Sequence, residues 1–252
     1  MRFITVSCLV IFTFLLLQSQ SQIPANVINL MKHYKSVVGF ENNYLLFKDG
    51  SKMIYDDGKA KEYGELLENS DIEDMFQQKY KSFISEKIPV NHNPGRFRNE
   101  AFFKKVYGGS SSDVEKNLVT VNWCPKLANQ KIRVTKVNNV HLKVEALSKE
   151  LDKHPEYQKY IADIAGSYTW RVIRGTQRLS THSFGIAIDI NLKYSHYWQW
   201  DCKCEDEKNV PPYKNLIPAG LVKIFEKHGF IWGGNWYHYD TMHFEYRPEL
   251  IP

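Results

Sequence analysis

Cysteine is scarce in this chain, with four in 252 residues. They are too few and too far apart for a disulfide scaffold. A chain this long buries a core without covalent staples. There is no internal repeat, no low-complexity tract and no run of basic residues, so nothing supports a nucleic-acid partner. Charged residues at 24% and hydrophobic residues at 43% exclude a disordered, collagenous or coiled-coil chain. Long apolar runs are also lacking, except for Phe3 to Leu17. That run follows the basic Met1-Arg2, precedes the polar Gln18 to Gln22 with small Ser19 and Ser21, and is shorter than the ~20 residues that span a bilayer.

Residues 1–21 are therefore expected to be a secretory signal peptide cut after Ser21, with a retained N-terminal anchor as the alternative. No other window is apolar enough for the membrane, so no stable insertion is expected after cleavage. Cys8 lies too early in the apolar run for a lipoprotein. The full chain carries +5, and losing residues 1–21 removes Arg2 and no acid, which leaves +4. Cys8 is lost as well, leaving Cys124, Cys202 and Cys204. Outside the cytosol one disulfide is expected, for example Cys124 with one of the pair, and one thiol is left over. Cys-x-Cys is not the Cys-x-x-Cys of a zinc knuckle.

What the chain does have is a mixed pattern of strands and helices. Tyr44 to Tyr55 reads as a hairpin around Asp49-Gly50. Glu62 to Tyr80 reads as helical, and Pro89 to Phe97 as a loop. Gly108 to Ser112 reads as a linker and places a soft boundary there. Leu118 to Trp123 and Lys131 to Val137 are β-rich. Leu142 to Tyr160 has apolar residues at helical spacing. Trp170 to Ile173 and Gly185 to Ile190 are strand candidates. Pro218 to His228 is a helix stopped by Gly229, Phe230 to Trp236 is a turn-rich aromatic stretch, and Met242 to Tyr246 is a last strand. The fold expected is α+β: a small antiparallel sheet with flanking helices, plus an N-terminal α+β subdomain. The divisions expected are 1–21, 22–112 and 113–252.

Two of the nine histidines stand apart. His33, His92, His141, His154, His196 and His228 sit among polar neighbours and read as surface or capping residues. His182, in contrast, precedes the apolar strand ending in Asp189. On that strand Ile186, Ile188 and Ile190 share one face, and Ala187, Asp189 and Asn191 the other. A carboxylate there is costly unless it is paired or bound to metal, and the small Gly185 and Ala187 leave room beside it. His182 can fold back beside Asp189. In the last strand His243 and Glu245 share a face. Two histidines and one carboxylate with an open fourth position is the form of a catalytic zinc site, and Asp240 can supply the base that such a site needs.

Ser180-Thr-His182-Ser-Phe-Gly185-Ile-Ala-Ile-Asp189 and Gly233-Gly-Asn-Trp-Tyr-His-Tyr-Asp240-Thr-Met-His243-Phe-Glu245 resemble the zinc D-alanyl-D-alanine carboxypeptidase and L-alanyl-D-glutamate endopeptidase family. That family includes vancomycin-resistance D,D-peptidases and phage endolysins. The resemblance covers roughly Leu118 to Leu250. Asn93-Pro-Gly-Arg-Phe-Arg98 also looks like a segment found upstream of the core in bacterial members. The resemblance implies that His182, Asp189 and His243 bind Zn2+ and that Asp240 is the general base. It also implies an arginine for substrate or oxyanion: Arg171 fits that position best, with Arg174 and Arg178 as competitors. An aspartate base is commoner in the endopeptidase branch.

The function implied is a secreted or periplasmic peptidase, expected as a monomer, acting on peptidoglycan stem peptides. Its first reading is the D-Ala-D-Ala carboxypeptidase type. The alternatives are an L-alanyl-D-glutamate endopeptidase and a non-catalytic, zinc-stabilised wall-binding module. A non-haem iron oxygenase fits less well, because those sites usually have His-x-Asp. Ser180, Asn191 and Glu245 are candidates for orienting the ligands, or equally for turn and strand hydrogen bonds. Trp198, Trp200, Trp232 and Trp236 are candidates for lining a cleft, or equally for packing.

Overall fold

The computed structural model describes residues 22–82, 87–204 and 206–252. The expected signal peptide and Cys8 lie outside the described residues. Eight α-helices occur among the described residues: α1 (Ala25–His33), α2 (Tyr63–Asn69), α3 (Glu100–Tyr107), α4 (Ser111–Glu115), α5 (Val140–Leu151), α6 (Gln158–Ile161), α7 (Trp198–Cys202) and α8 (Ala219–Lys227). The strands are β1 (Val37–Glu41), β2 (Tyr44–Phe47), β3 (Lys52–Ile54), β4 (Leu118–Trp123), β5 (Gln130–Thr135), β6 (Ala187–Asp189), β7 (Phe230–Trp232) and β8 (His243–Tyr246). They form three antiparallel sheets, ordered β1-β2-β3, β4-β5 and β6-β8-β7. The fold is α+β, as expected.

The helices follow their apolar spacing. On α5, Val140, Val144, Leu147 and Leu151 are buried on one face. The helix does not run on to Tyr160, because Pro155 disfavours helical geometry at His154 and the chain restarts as a separate turn. Helix α3 begins where the Asn99 side chain accepts a bond from Phe102 N, and it buries Phe102, Phe103, Val106 and Tyr107. The expected helix over Glu62–Tyr80 is cut short at Asn69. Beyond it the Asp71 and Asp74 carboxylates each accept the other's backbone N–H at 2.9 Å, and Lys61 Nζ bonds both. Short acids that bond nearby backbone compete with helix in this way. Of the expected linker, only residues 108–110 connect α3 to α4; Ser110 caps α4, and Ser111 and Ser112 are its first turn.

One apolar core runs from Val27 on α1 through Phe102, Trp123, Val144 and Ile188 to Tyr246 on β8. Phe244 stacks on Phe225 of α8 at 3.8 Å between centroids. The Trp232 ring also stacks on Phe244, at 6.3 Å. Phe230–Trp232 is thus a buried strand, β7, where sequence suggested only turns. Trp170–Ile173 forms only a single bridge, Val172 with Leu179.

The disulfide differs from expectation. Cys202 and Cys204 are joined to each other, with Cα atoms 5.2 Å apart, and Cys124 is the free thiol. Cys124 is fully buried beside Ser148 at the start of the β4–β5 connection, whereas the Cys-x-Cys pair sits at the end of α7.

Candidate metal centre

Strand register builds the site. In the β6–β8 pair, Asp189 stands directly opposite His243 and Ala187 opposite Glu245, which brings the side chains of opposed residues close together. His182 arrives from the preceding 3₁₀ turn, Thr181–Phe184. Ser180 caps that turn by accepting from His182 N, and Gly185 ends it at φ 67°. A Cβ on Gly185 would lie 2.7 Å from Leu118 Cδ2 and 3.0 Å from Thr135 N, so glycine is needed both for the left-handed turn and for the close packing. The turn folds His182 back over β6.

The three donors converge. His182 Nε2 lies 3.1 Å from Asp189 Oδ2 and 3.3 Å from His243 Nδ1, and His243 Nδ1 lies 2.9 Å from Asp189 Oδ1. Donors around a tetrahedral ion with bonds of roughly 2.0–2.1 Å stand about 3.3 Å apart, so this set fits a metal such as zinc. The remaining ring nitrogens are spoken for. His182 Nδ1 donates to the Ser167 carbonyl at 3.1 Å, and His243 Nε2 faces Glu245 Oε2 at 3.1 Å and Thr181 Oγ1 at 3.3 Å. A carbonyl and a carboxylate only accept, which leaves His182 Nε2 and His243 Nδ1 as the lone pairs facing Asp189.

The charges of the metal-free site agree. Burial works against a charged His243, but bonds to Asp189 and Glu245 outweigh it and raise the pKa to about 10. Burial pushes the Asp189 pKa up, and the two histidines overcome it, holding that carboxyl well below its usual range.

Asp240 opens the turn that leads into β8, bonded backbone to backbone with Gly233 and with His243. Its Oδ1 is buried without a hydrogen-bond partner in the structure. Burial raises its pKa to about 7, helped by the Asp189 charge and opposed by His243, Arg171 and Arg96. A buried carboxyl poised near neutrality is suited to moving protons.

Asp189, His243 and Asp240 open into a cavity of about 810 Å³ that is also lined by Arg96, Arg98, Arg171, Arg174 and Arg178. Arg178 is pinned by Glu68 at 2.9 Å, and Arg171 lines the same cavity as Asp240. Trp198, Trp200 and Trp236 line the cleft, while Trp232 is wholly buried in the core. Asn191 bonds Lys159 O and Lys193 N, a turn role away from the metal residues.

Sequence reasoning gave no role to His238, Arg96 or Glu207, although the first two lie in the stretches quoted for the resemblance. His238 is buried; its Nε2 donates to the Glu207 carbonyl at 2.9 Å, and burial together with the Arg96 charge lowers its pKa to about 4. Arg96 bonds Glu207 at 2.5 Å and Tyr63 at 3.2 Å. The signal for His238 was its place in the second motif, two residues before Asp240.

Residues 174–246 match the D-alanyl-D-alanine carboxypeptidase family model. This is the family that the two motifs resemble, and its peptidases are metal-dependent. The carboxypeptidase match takes in His182, Asp189, Asp240 and His243 and begins after Arg171. No curated protein and no solved structure matches the chain.

Proposed function

We propose that this protein is a secreted zinc peptidase that hydrolyses D-amino-acid-containing bonds of peptidoglycan stem peptides, of the D-Ala-D-Ala carboxypeptidase type. The observation that carries the reading is Asp240, a buried carboxylate with an unsatisfied oxygen in the same cleft as the His182–Asp189–His243 donors. His182, Asp189 and His243 hold the zinc. When bound, it supplies Lewis acidity toward a peptide carbonyl and a water. Asp240 takes the proton of the attacking water and returns it to the leaving nitrogen. Arg171, in the same cleft, faces the developing oxyanion or a substrate carboxylate.

An L-alanyl-D-glutamate endopeptidase is the second reading, favoured by the aspartate at the base position. Export is inferred from residues 1–21, and a monomer is inferred for the chain. Among the described residues, no helix is long and apolar enough to cross a membrane.

Incubation of the purified protein with defined muropeptides, with and without chelator, tests the reading. Loss of terminal D-Ala, seen by mass, identifies the carboxypeptidase, and a break after L-Ala identifies the endopeptidase. If chelator stops no cleavage of any wall peptide, the proposal fails.

A further inference from the structure

The histidines at the metal centre are supported unequally. His182 donates its outer nitrogen to a neutral backbone carbonyl, whereas His243 donates to a carboxylate, Glu245. Glu245 is fully buried, and a buried carboxylate is costly unless paired. Three basic side chains surround it: His243 on Oε2, Arg247 Nη1 on Oε1 at 3.2 Å, and Arg98 Nη1 at 4.0 Å. Arg247 is itself fully buried, bonds Glu249 at 2.5 Å and donates from Nη1 to the Gly95 carbonyl at 3.1 Å.

Gly95 has φ +97°, and a Cβ there would lie 2.5 Å from Ile231 Cδ1 and 3.3 Å from Glu245 Oε1. Only glycine lets the backbone lie against this carboxylate. Its neighbours are tied down on the same side. Pro94 O accepts from Trp236 Nε1 at 2.7 Å, and Asn93 Oδ1 accepts from His238 N at 2.9 Å.

Resting on the metal-dependent reading above, we propose that Glu245 is a positioning residue that sets the zinc affinity. Arg247, Arg98 and the Gly95 backbone hold it in place. Segment 93–98 therefore belongs to the metal centre although it contributes no ligand. The Glu245 carboxylate keeps the proton on His243 Nε2, turns Nδ1 toward Asp189 and makes the ring a stronger donor. Arg98 and Arg247 hold Glu245 fixed, so the effect reaches His243 through a residue distant in sequence as well as one near it.

The test is the Zn2+ dissociation constant of the full-length protein, measured by competition with a chromophoric chelator. The variants are Glu245→Gln, Arg98→Gln and the control Asn191→Ala, each with a thermal melt of the metal-free form. Glu245→Gln is expected to weaken zinc binding roughly 10–100-fold, Arg98→Gln in the same direction but less, and Asn191→Ala not at all. Zinc affinities of both Glu245→Gln and Arg98→Gln within twofold of wild type overturn the proposal, even if their melts shift, because that pattern belongs to a merely structural role. Should Glu245→Gln fail to fold, Arg98→Gln decides together with ¹⁵N-histidine spectra of the zinc-loaded wild type. A proton on His243 Nε2 is expected there, and a proton on Nδ1 overturns the assignment. Wild-type protein that binds no zinc would instead defeat the metal reading itself.

Discussion

Asp240 pays for its position. Its Oδ1 is buried without a partner and its pKa stands near 7, against 3.8 for the free side chain. A carboxyl with a raised folded-state pKa binds more protons folded than unfolded. In the metal-free protein it therefore costs stability as pH rises from about 3.8 through about 7. Asp240→Asn, which cannot ionise, should melt higher than wild type at pH 8 when both are metal-free, and the gap should close below pH 4. In the zinc-loaded enzyme, kcat/KM should rise with pH as Asp240 loses its proton, and that acid limb should vanish in Asp240→Asn. The same variant should lose roughly 10²–10⁴-fold in hydrolysis while still holding zinc in a chelator competition. Unchanged hydrolysis of wall peptides in the variant would remove Asp240 from the reaction.

Among the elements, the turn that delivers His182 is the most exacting. Gly185→Ala would force an L side chain into φ 67° and into Leu118 and Thr135 N, which should cost more than about 1 kcal/mol. A drop in the denaturation midpoint with unchanged m-value checks this, and zinc affinity should fall with it, because His182 rides on the same turn. At this scale much was legible in the sequence. His182, Asp189, Asp240 and His243 sit in two short stretches whose strand alternation and turns are local properties, but that the two stretches meet across the β6–β8 pair was implied by the family resemblance, not by spacing. β7 was not legible, because Phe230–Trp232 is buried on every side and shows no alternation. The Cys202–Cys204 pairing was missed because Cys124 is sealed in the core, a matter of tertiary packing.

Across the whole molecule, residues 22–112 and 113–252 share one interior. Phe103 packs on Phe184 at 5.8 Å and Tyr107 on Phe184 at 6.2 Å, Glu100 accepts the Leu179 N–H at 2.7 Å, and Tyr80 bonds Glu226 at 2.6 Å. A fragment of residues 113–252 should therefore lose the cooperative melt of the full chain and bind zinc more weakly. A sharp transition with full-length affinity would show the first part to be dispensable. This mutual dependence is the part of the site that could not be read in the sequence, since no periodic signal links Gly95 to a partner 152 residues away. It also has a consequence for biosynthesis. His182 and Asp189 leave the ribosome well before His243, 54 residues after Asp189, and the buried shell behind them closes only when Arg247 reaches Gly95. At ~5–20 residues per second, the nascent chain spends some seconds with two donors made and the third missing. A centre that takes one donor from His243 and its support from Arg247 is thus complete only once translation has passed residue 247.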